Sequence, residues 1–244
     1  MKDIIEKLKD DAEYYGGVGK NYLSNSDIGA LLNNPKEFGI TRADNPNFAK
    51  GRLFHQLILE PDKAKDFVSI DVSSRNTKKY KDFVLDNELD FCLLQKEVDE
   101  IKAWVYTMFA NMDFFDMIHA EGNEYEVPSV KEIKGMMWKG KADIVSSDFL
   151  IDLKTTGDIK KFKRSAYLYN YDSQSYIYQE LFGKPLIFLV VDKTTKMLGL
   201  FRPTEEFIKR GEQKVERAIE VYNKFFSEDA PHTIDDYYIE EYID

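Results

Sequence analysis

Apolar residues recur along this chain in two rhythms. Over the first half they return every three or four positions, the spacing of a helical face, and predict helices at about 3–14, 25–33, 46–60, 76–86 and 94–112. Ser24 or Ser26 is placed to cap the second helix and Asn34-Pro35 to end it. Leu53, Phe54, Leu57 and Ile58 form the apolar face of the third, which Pro61 stops. The helices at 76–86 and 94–112 read as an antiparallel pair inserted ahead of the strand-rich half. From about residue 121 the period falls to two, and strands are expected at 123–131, 135–146 and 149–155. Ser146-Ser147-Asp148 is a turn between the last two, so a hairpin there sets Asp143 beside Asp152. A helix follows at 165–182, starting after Ser165 and ending at Gly183; the continuous apolar run 186–191 reads as a buried strand. Residues 197–202 pair with it across the turn 192–195, and a helix at 204–226 completes the pattern.

With 244 residues, 43% of them hydrophobic, the chain can bury one substantial core, and no repeat or low-complexity linker calls for a second domain. The expected organisation is a helical part over about 1–120, an αβ core over about 121–226 and an acidic tail over about 227–244. No apolar run approaches the ~20 residues of a membrane span, and the amino terminus is charged and amphipathic rather than a signal peptide, so a cytoplasmic protein is expected. A lone cysteine, Cys92, excludes an intrachain disulfide and a four-cysteine cluster. Histidines dispersed at 55, 119 and 232 make a structural zinc site improbable.

The candidate chemistry sits in Gly140-Lys141-Ala142-Asp143 and Ile151-Asp152-Leu153-Lys154-Thr155-Thr156. Strand alternation sends Asp152 and Lys154 to one side and Ile151 and Leu153 into a core. Two converging carboxylates suit a hard cation such as Mg²⁺, which takes oxygen ligands and keeps positions open for water and phosphate. An ammonium beside them can stabilise the negative charge of a phosphodiester transition state or position the attacking water. Asp-x-Lys by itself reads equally as a solvated ion pair.

Asp143, eight intervening residues and Asp152-Leu153-Lys154-Thr155-Thr156 resemble the signature of the PD-(D/E)XK nuclease superfamily in the form used by its RecB-like branch. Twenty residues beyond Lys154, Gln174 and Tyr178 resemble the Gln-x-x-x-Tyr helix motif of that branch; four apart, they share a helical face. There Gln174 could bind a substrate group and Tyr178 could pack on sugar or base, although an aromatic stripe of Tyr167, Tyr171 and Tyr178 is also what a core helix carries. Upstream, Gly51-Arg52-Leu53-Phe54-His55 with Leu59-Glu60-Pro61 is similar to a segment of RecE-type (exonuclease VIII-like) phage exonucleases, as is the Ser-x-Ser…Leu…Pro…Phe pattern of residues 24–38. Gly51, one turn before His55, leaves room for a backbone or phosphate. Glu60 stands five positions from His55, about 140° around the helix, and reads first as a helix-end residue.

The resemblance implies a restriction-endonuclease-like α/β fold: a central mixed sheet flanked by helices, with an amino-terminal helical extension. It implies Mg²⁺ or Mn²⁺ held by Asp143, Asp152, the Leu153 carbonyl and His55, with Lys154 orienting or activating water and Gln174 and Tyr178 positioning the strand end. It further implies 5′–3′ digestion of linear double-stranded DNA ends in a phage or prophage recombination pathway, beside a single-strand annealing protein and in a ring-shaped homo-oligomer in the bacterial cytoplasm. An endonuclease on the same scaffold, a noncatalytic DNA-end binder and an acidic DNA mimic are the alternatives.

Net charge bears on the choice. A value of −10 has the wrong sign for holding a polyanion, but residues 228–244 contribute −7 of it, leaving −3 for the remainder. Against that background three basic clusters stand out: Lys160, Lys161, Lys163 and Arg164; Lys78, Lys79 and Lys81; and Lys134 with Lys139 and Lys141. The first lies soon after the carboxylates and is the best candidate for a phosphate track, with Gly51, Arg52 and Thr155 as further DNA contacts; each cluster is otherwise a solvated face. The acidic, tyrosine-rich end, 235–242, reads as a solvated tail or a docking segment for a neighbour.

Overall fold

In the structure, a computed structural model, residues 2–41 and 43–240 are described. The chain begins with α1 (Lys2–Lys7), α2 (Asp11–Tyr15), α3 (Asn25–Asn33), α4 (Pro46–Leu59) and α5 (Pro61–Ala64). Next come strand β1 (Ser69–Ile70), α6 (Lys78–Asp86), β2 (Leu93–Leu94), α7 (Gln95–Ala110) and α8 (Met112–His119). The central sheet is built from β3 (Glu124–Ile133), β4 (Met136–Val145), β5 (Leu150–Thr156), β6 (Leu186–Asp192) and β7 (Leu198–Phe201). Between β5 and β6 lie α9 (Phe162–Leu168) and α10 (Tyr171–Phe182), and α11 (Glu205–Phe225) comes after β7.

Two expected helices, 3–14 and 165–182, are divided and a helix not expected, α8, follows the one at 94–112, each break falling at a residue whose side chain or backbone interrupts the ladder. Asp10 accepts from the Glu13 N–H and starts α2 afresh. Asn111 does the same for α8 through the Phe114 N–H. Asn170, in the left-handed region at φ 58°, separates α9 from α10. Ser165 therefore lies inside α9 rather than before a helix.

The sheet runs β3-β4-β5-β6-β7. Lys134 and Gly135, with φ of 52° and 78°, close the antiparallel β3–β4 hairpin, as a two-residue turn between right-twisted strands requires. β5 and β6 are parallel over seven residue pairs, joined by the α9–α10 crossover. All of β6 is buried, as its unbroken apolar run implies. One face of the sheet presents Ile151, Leu153, Leu189 and Val191 to Leu53 and Phe54 of α4 and Ile101, Trp104 and Met108 of α7. On the other, Leu150, Phe188 and Val190 pack with Phe162, while Trp138 of β4 meets Ile28 of α3, Ile177 of α10 and Val215 of α11.

A buried carboxylate ties the helical part together. Glu97 of α7 bonds Arg75 at 2.5 Å and Lys50 of α4 at 2.8 Å, and accepts from the Leu94 N–H. Burial opposes its charge, but these partners outweigh it and hold the carboxyl at about 2.

Candidate metal centre

The centre forms where the sheet opens. β4 and β5 pair only at Ile144–Ile151 and Val145–Leu150, so Asp143 and Asp152, next in register, are no longer joined through their backbones. Asp143 instead accepts from the Leu153 N–H at 2.7 Å. N–H and C=O of one strand residue point to the same side, so the Leu153 carbonyl faces the same gap. Ala142 packs with the α10-side cluster and Ile144 with the α4–α7 cluster, so the alternation of β4 is interrupted at Asp143.

Opposite Asp143 stands Glu126, at φ 50°. A non-glycine residue there costs on the order of 1–3 kcal/mol and persists only where its surroundings hold it. Tyr125–Ile144 and Val127–Ala142 pair normally on either side. His55 reaches in from α4, its Nδ1 3.3 Å from Asp143 Oδ2. His55, Glu126 and Asp143 each offer a ligand atom, all within 4.8 Å of one another. Glu126 was absent from the expected set, although counting back from the Lys134-Gly135 turn places it opposite Asp143.

Asp152 and Lys154 lie on the α10 side. Lys154 Nζ is 2.5 Å from Asp152 Oδ2, and Gln174 Nε2 donates to Oδ1 at 2.6 Å. Gln174 thus meets the carboxylate rather than standing free for substrate. Beyond this ion pair the buried Oδ2 makes no further hydrogen bond among the described residues. Lys154 also lies 4.9 Å above the Tyr171 ring. Tyr178 donates to the Lys141 carbonyl at 3.0 Å and its ring covers Gly140, where a Cβ would meet it at 3.1 Å. Its ring and hydroxyl thereby hold α10 to β4.

The electrostatics are those of anionic and cationic groups crowded out of water. Burial raises the Glu126 carboxyl to about 7, with the charge of Asp143 adding to the rise. Burial also raises Asp152, against the pull of Lys154 and with the repulsion of Asp143. For Asp143 burial is outweighed by His55, Lys154 and the Leu153 N–H, and its carboxyl is lowered. The His55 imidazole moves up, because Asp143 outweighs burial. Lys154 is likewise raised: burial disfavours its charge, but Asp152, Tyr171 and Asp143 retain it. A charged Lys154 can orient a water or steady an anion.

This donor set fits a divalent cation. Carboxylates and a strand carbonyl are hard oxygen ligands and one imidazole nitrogen is acceptable to Mn²⁺; Asp152, expected among the ligands, lies outside the group formed by His55, Glu126 and Asp143 and is paired with Lys154. Glu60 is the C-cap of α4 and pairs with Lys63 at 2.6 Å, a helix-end residue.

The expected DNA contacts divide. Arg52 is paired with Asp44 at 2.5 Å, and Thr155 is half-buried in β5. Gly51 has nothing within 4 Å of an added Cβ, so the approach above it is open. Lys160, Lys161, Lys163 and Arg164 are exposed. The cluster of Lys134, Lys139 and Lys141 is not a track: Lys134 bridges Glu212 and Glu216, Lys139 is buried against the Tyr14 carbonyl, and Lys141 pairs with Asp11.

An opened mixed sheet with carboxylates and a lysine at its gap, flanked by helices on both faces, defines the PD-(D/E)XK fold class. Residues 30–233 match the family described as "PDDEXK-like domain of unknown function (DUF3799)", and the chain belongs to that family. The crystal structure of a "Putative exonuclease" from Eubacterium rectale superposes with a TM-score of 0.62 at 16% identity, covering 96% of each chain, which shows a shared fold. The crystal structure of SSO0001 aligns over 74% of this chain and 88% of its own, at 16% identity and a TM-score of 0.35. No curated protein matches.

Proposed function

We propose that this protein is a Mg²⁺- or Mn²⁺-dependent deoxyribonuclease, acting as a 5′–3′ exonuclease on linear duplex ends in a RecE-like recombination role. The observation that carries the reading is the meeting of His55, Glu126 and Asp143 within 4.8 Å beside the Asp152–Lys154 pair. His55, Glu126, Asp143, Asp152 and the Leu153 carbonyl would hold the cation, which supplies Lewis-acid charge at the phosphate and acidifies a bound water. Lys154, fixed between Asp152 and the Tyr171 ring, holds the attacking water and faces the developing phosphate charge. Gln174 holds the Asp152 carboxylate in one orientation, and Tyr178 fixes the distance between α10 and β4. Lys160, Lys161, Lys163 and Arg164 receive backbone phosphates. Exonuclease polarity, the annealing partner and ring assembly follow from the resemblance of the motifs to RecE-type enzymes.

The test is digestion of a linear duplex labelled at either 5′ end beside a closed circle, with Mg²⁺, Mn²⁺ or chelator, for wild type and Asp152→Asn. Metal-dependent loss of the linear form alone, with a fall of at least about 10²-fold in Asp152→Asn, is expected. Cleavage of the circle would assign an endonuclease. Inert wild-type protein would move the assignment to a binder.

A further inference from the structure

α9 lies just beyond β5 and carries charges and rings that the interior does not use. Lys160, Lys163 and Arg164 are exposed and make no ion pair among the described residues. Beyond them Tyr167, Leu168 and Tyr169 stand in solvent, 44%, 66% and 65% exposed. The backbone beneath is anchored: Lys214 donates to the Tyr167 carbonyl at 3.2 Å, and to Asn170 and Asp172 at 2.8 Å each. Arg210 lies 4.7 Å over the Tyr167 ring, and Phe207 packs 5.2 Å from it. Asn170, in its left-handed conformation, then turns the chain so that Tyr169 comes 6.1 Å from Tyr171. Since the Lys154 ammonium sits over Tyr171, a line of rings leads from the metal centre to the surface.

We infer that this ledge holds an unpaired nucleic-acid strand beside the metal centre, one base stacked on Tyr169 and the adjoining phosphates on Lys160, Lys163 and Arg164. The inference rests on the nuclease reading and specifies which form of the polymer the site prefers next to the bond it cuts. A chain carrying −10 overall gathers here three cations that are unpaired among the described residues, a polyanion's complement. The exposed tyrosine adds what phosphate contacts lack, a flat apolar face for a base. Bases inside a duplex have both faces covered, so only an unpaired base or a terminal pair can use that ring.

The experiment uses the full chain with Asp152→Asn to stop cleavage, and measures fluorescence anisotropy of a labelled oligo(dT) strand and of a blunt duplex of equal length in Mg²⁺. Tyr169→Ala is expected to weaken the single strand about tenfold and Tyr169→Phe to restore it, since stacking needs the ring and not the hydroxyl. Duplex affinity should change less than about twofold, since only its two terminal pairs can reach that ring and phosphate contacts carry the rest. Unchanged single-strand affinity, or an equal loss on both polymers, overturns the ledge even where wild-type protein digests DNA. If the parent protein binds neither polymer, this inference and the nuclease reading fall together, and the exposed rings become a protein-facing surface.

Discussion

Glu126 shows how one residue's geometry exposes what its identity does not. Its strand carries Glu124 and Glu126 two apart, as a solvated strand face would, and only its position opposite Asp143 sets it apart. A left-handed backbone is costly for glutamate, and it turns the residue where the ladder would otherwise run straight. Glu126→Gln keeps the shape and removes the anion, so Mn²⁺ affinity measured by calorimetry should fall about tenfold or more, with cleavage partly recovered at high Mn²⁺. Unchanged affinity would remove Glu126 from the ligand set. Asp152 differs, because it is buried and holds Lys154 and Gln174. Replacement by alanine would strand a buried ammonium, which makes asparagine the cleaner substitution.

Elements are held at this site by close approach, and two helical glycines show opposite sides of it. Gly211 of α11 packs directly on α10: an added Cβ would lie 2.0 Å from the Asp172 carbonyl oxygen. Gly51 of α4 faces open space. Gly211→Ala should therefore destabilise by about 3 kcal/mol, because backbone must move. Gly51→Ala should gain roughly 1 kcal/mol from helix propensity, raising Tm by about 2–4 °C. If the space above Gly51 is where a phosphate approaches, the same variant raises KM with little change in kcat. Thermal denaturation and steady-state digestion read both, and equal Tm changes would contradict the packing. The α11 contact matters to the site because α10 carries Gln174, whose bond to Asp152 depends on where the helix lies.

At the scale of the whole molecule, charge is arranged rather than uniform. His232 and Tyr237 pack near Phe225 of α11, and Asp236 bonds Thr233, so the start of the acidic end folds back on its own helix; Glu241 and Tyr242 lie outside the described residues. Deleting residues 228–244 removes seven negative charges, and should tighten binding of a DNA duplex at low salt, the gain fading as the Debye length falls to about 8 Å near 0.15 M. A gain unaffected by salt would mean that the segment blocks the site sterically. Among the described residues no helix is long and apolar enough to cross a membrane. Local pattern determined much of this molecule: the period-two runs became β3, β4 and β5, the apolar run at 186–191 became buried β6, and α3 spans Asn25–Asn33 as its caps imply. Asp143, Asp152 and Lys154 were legible too, since the turn at 146–148 sets Asp143 opposite Asp152 in the observed register. Only the tertiary structure decided the rest. Whether β4 and β5 stay paired, which carboxylate of β3 joins them, and that Tyr178, Lys139 and Lys141 bond to the protein itself depend on how far apart layers sit. Sequence periodicity reports which face a residue takes, and not what stands across from that face.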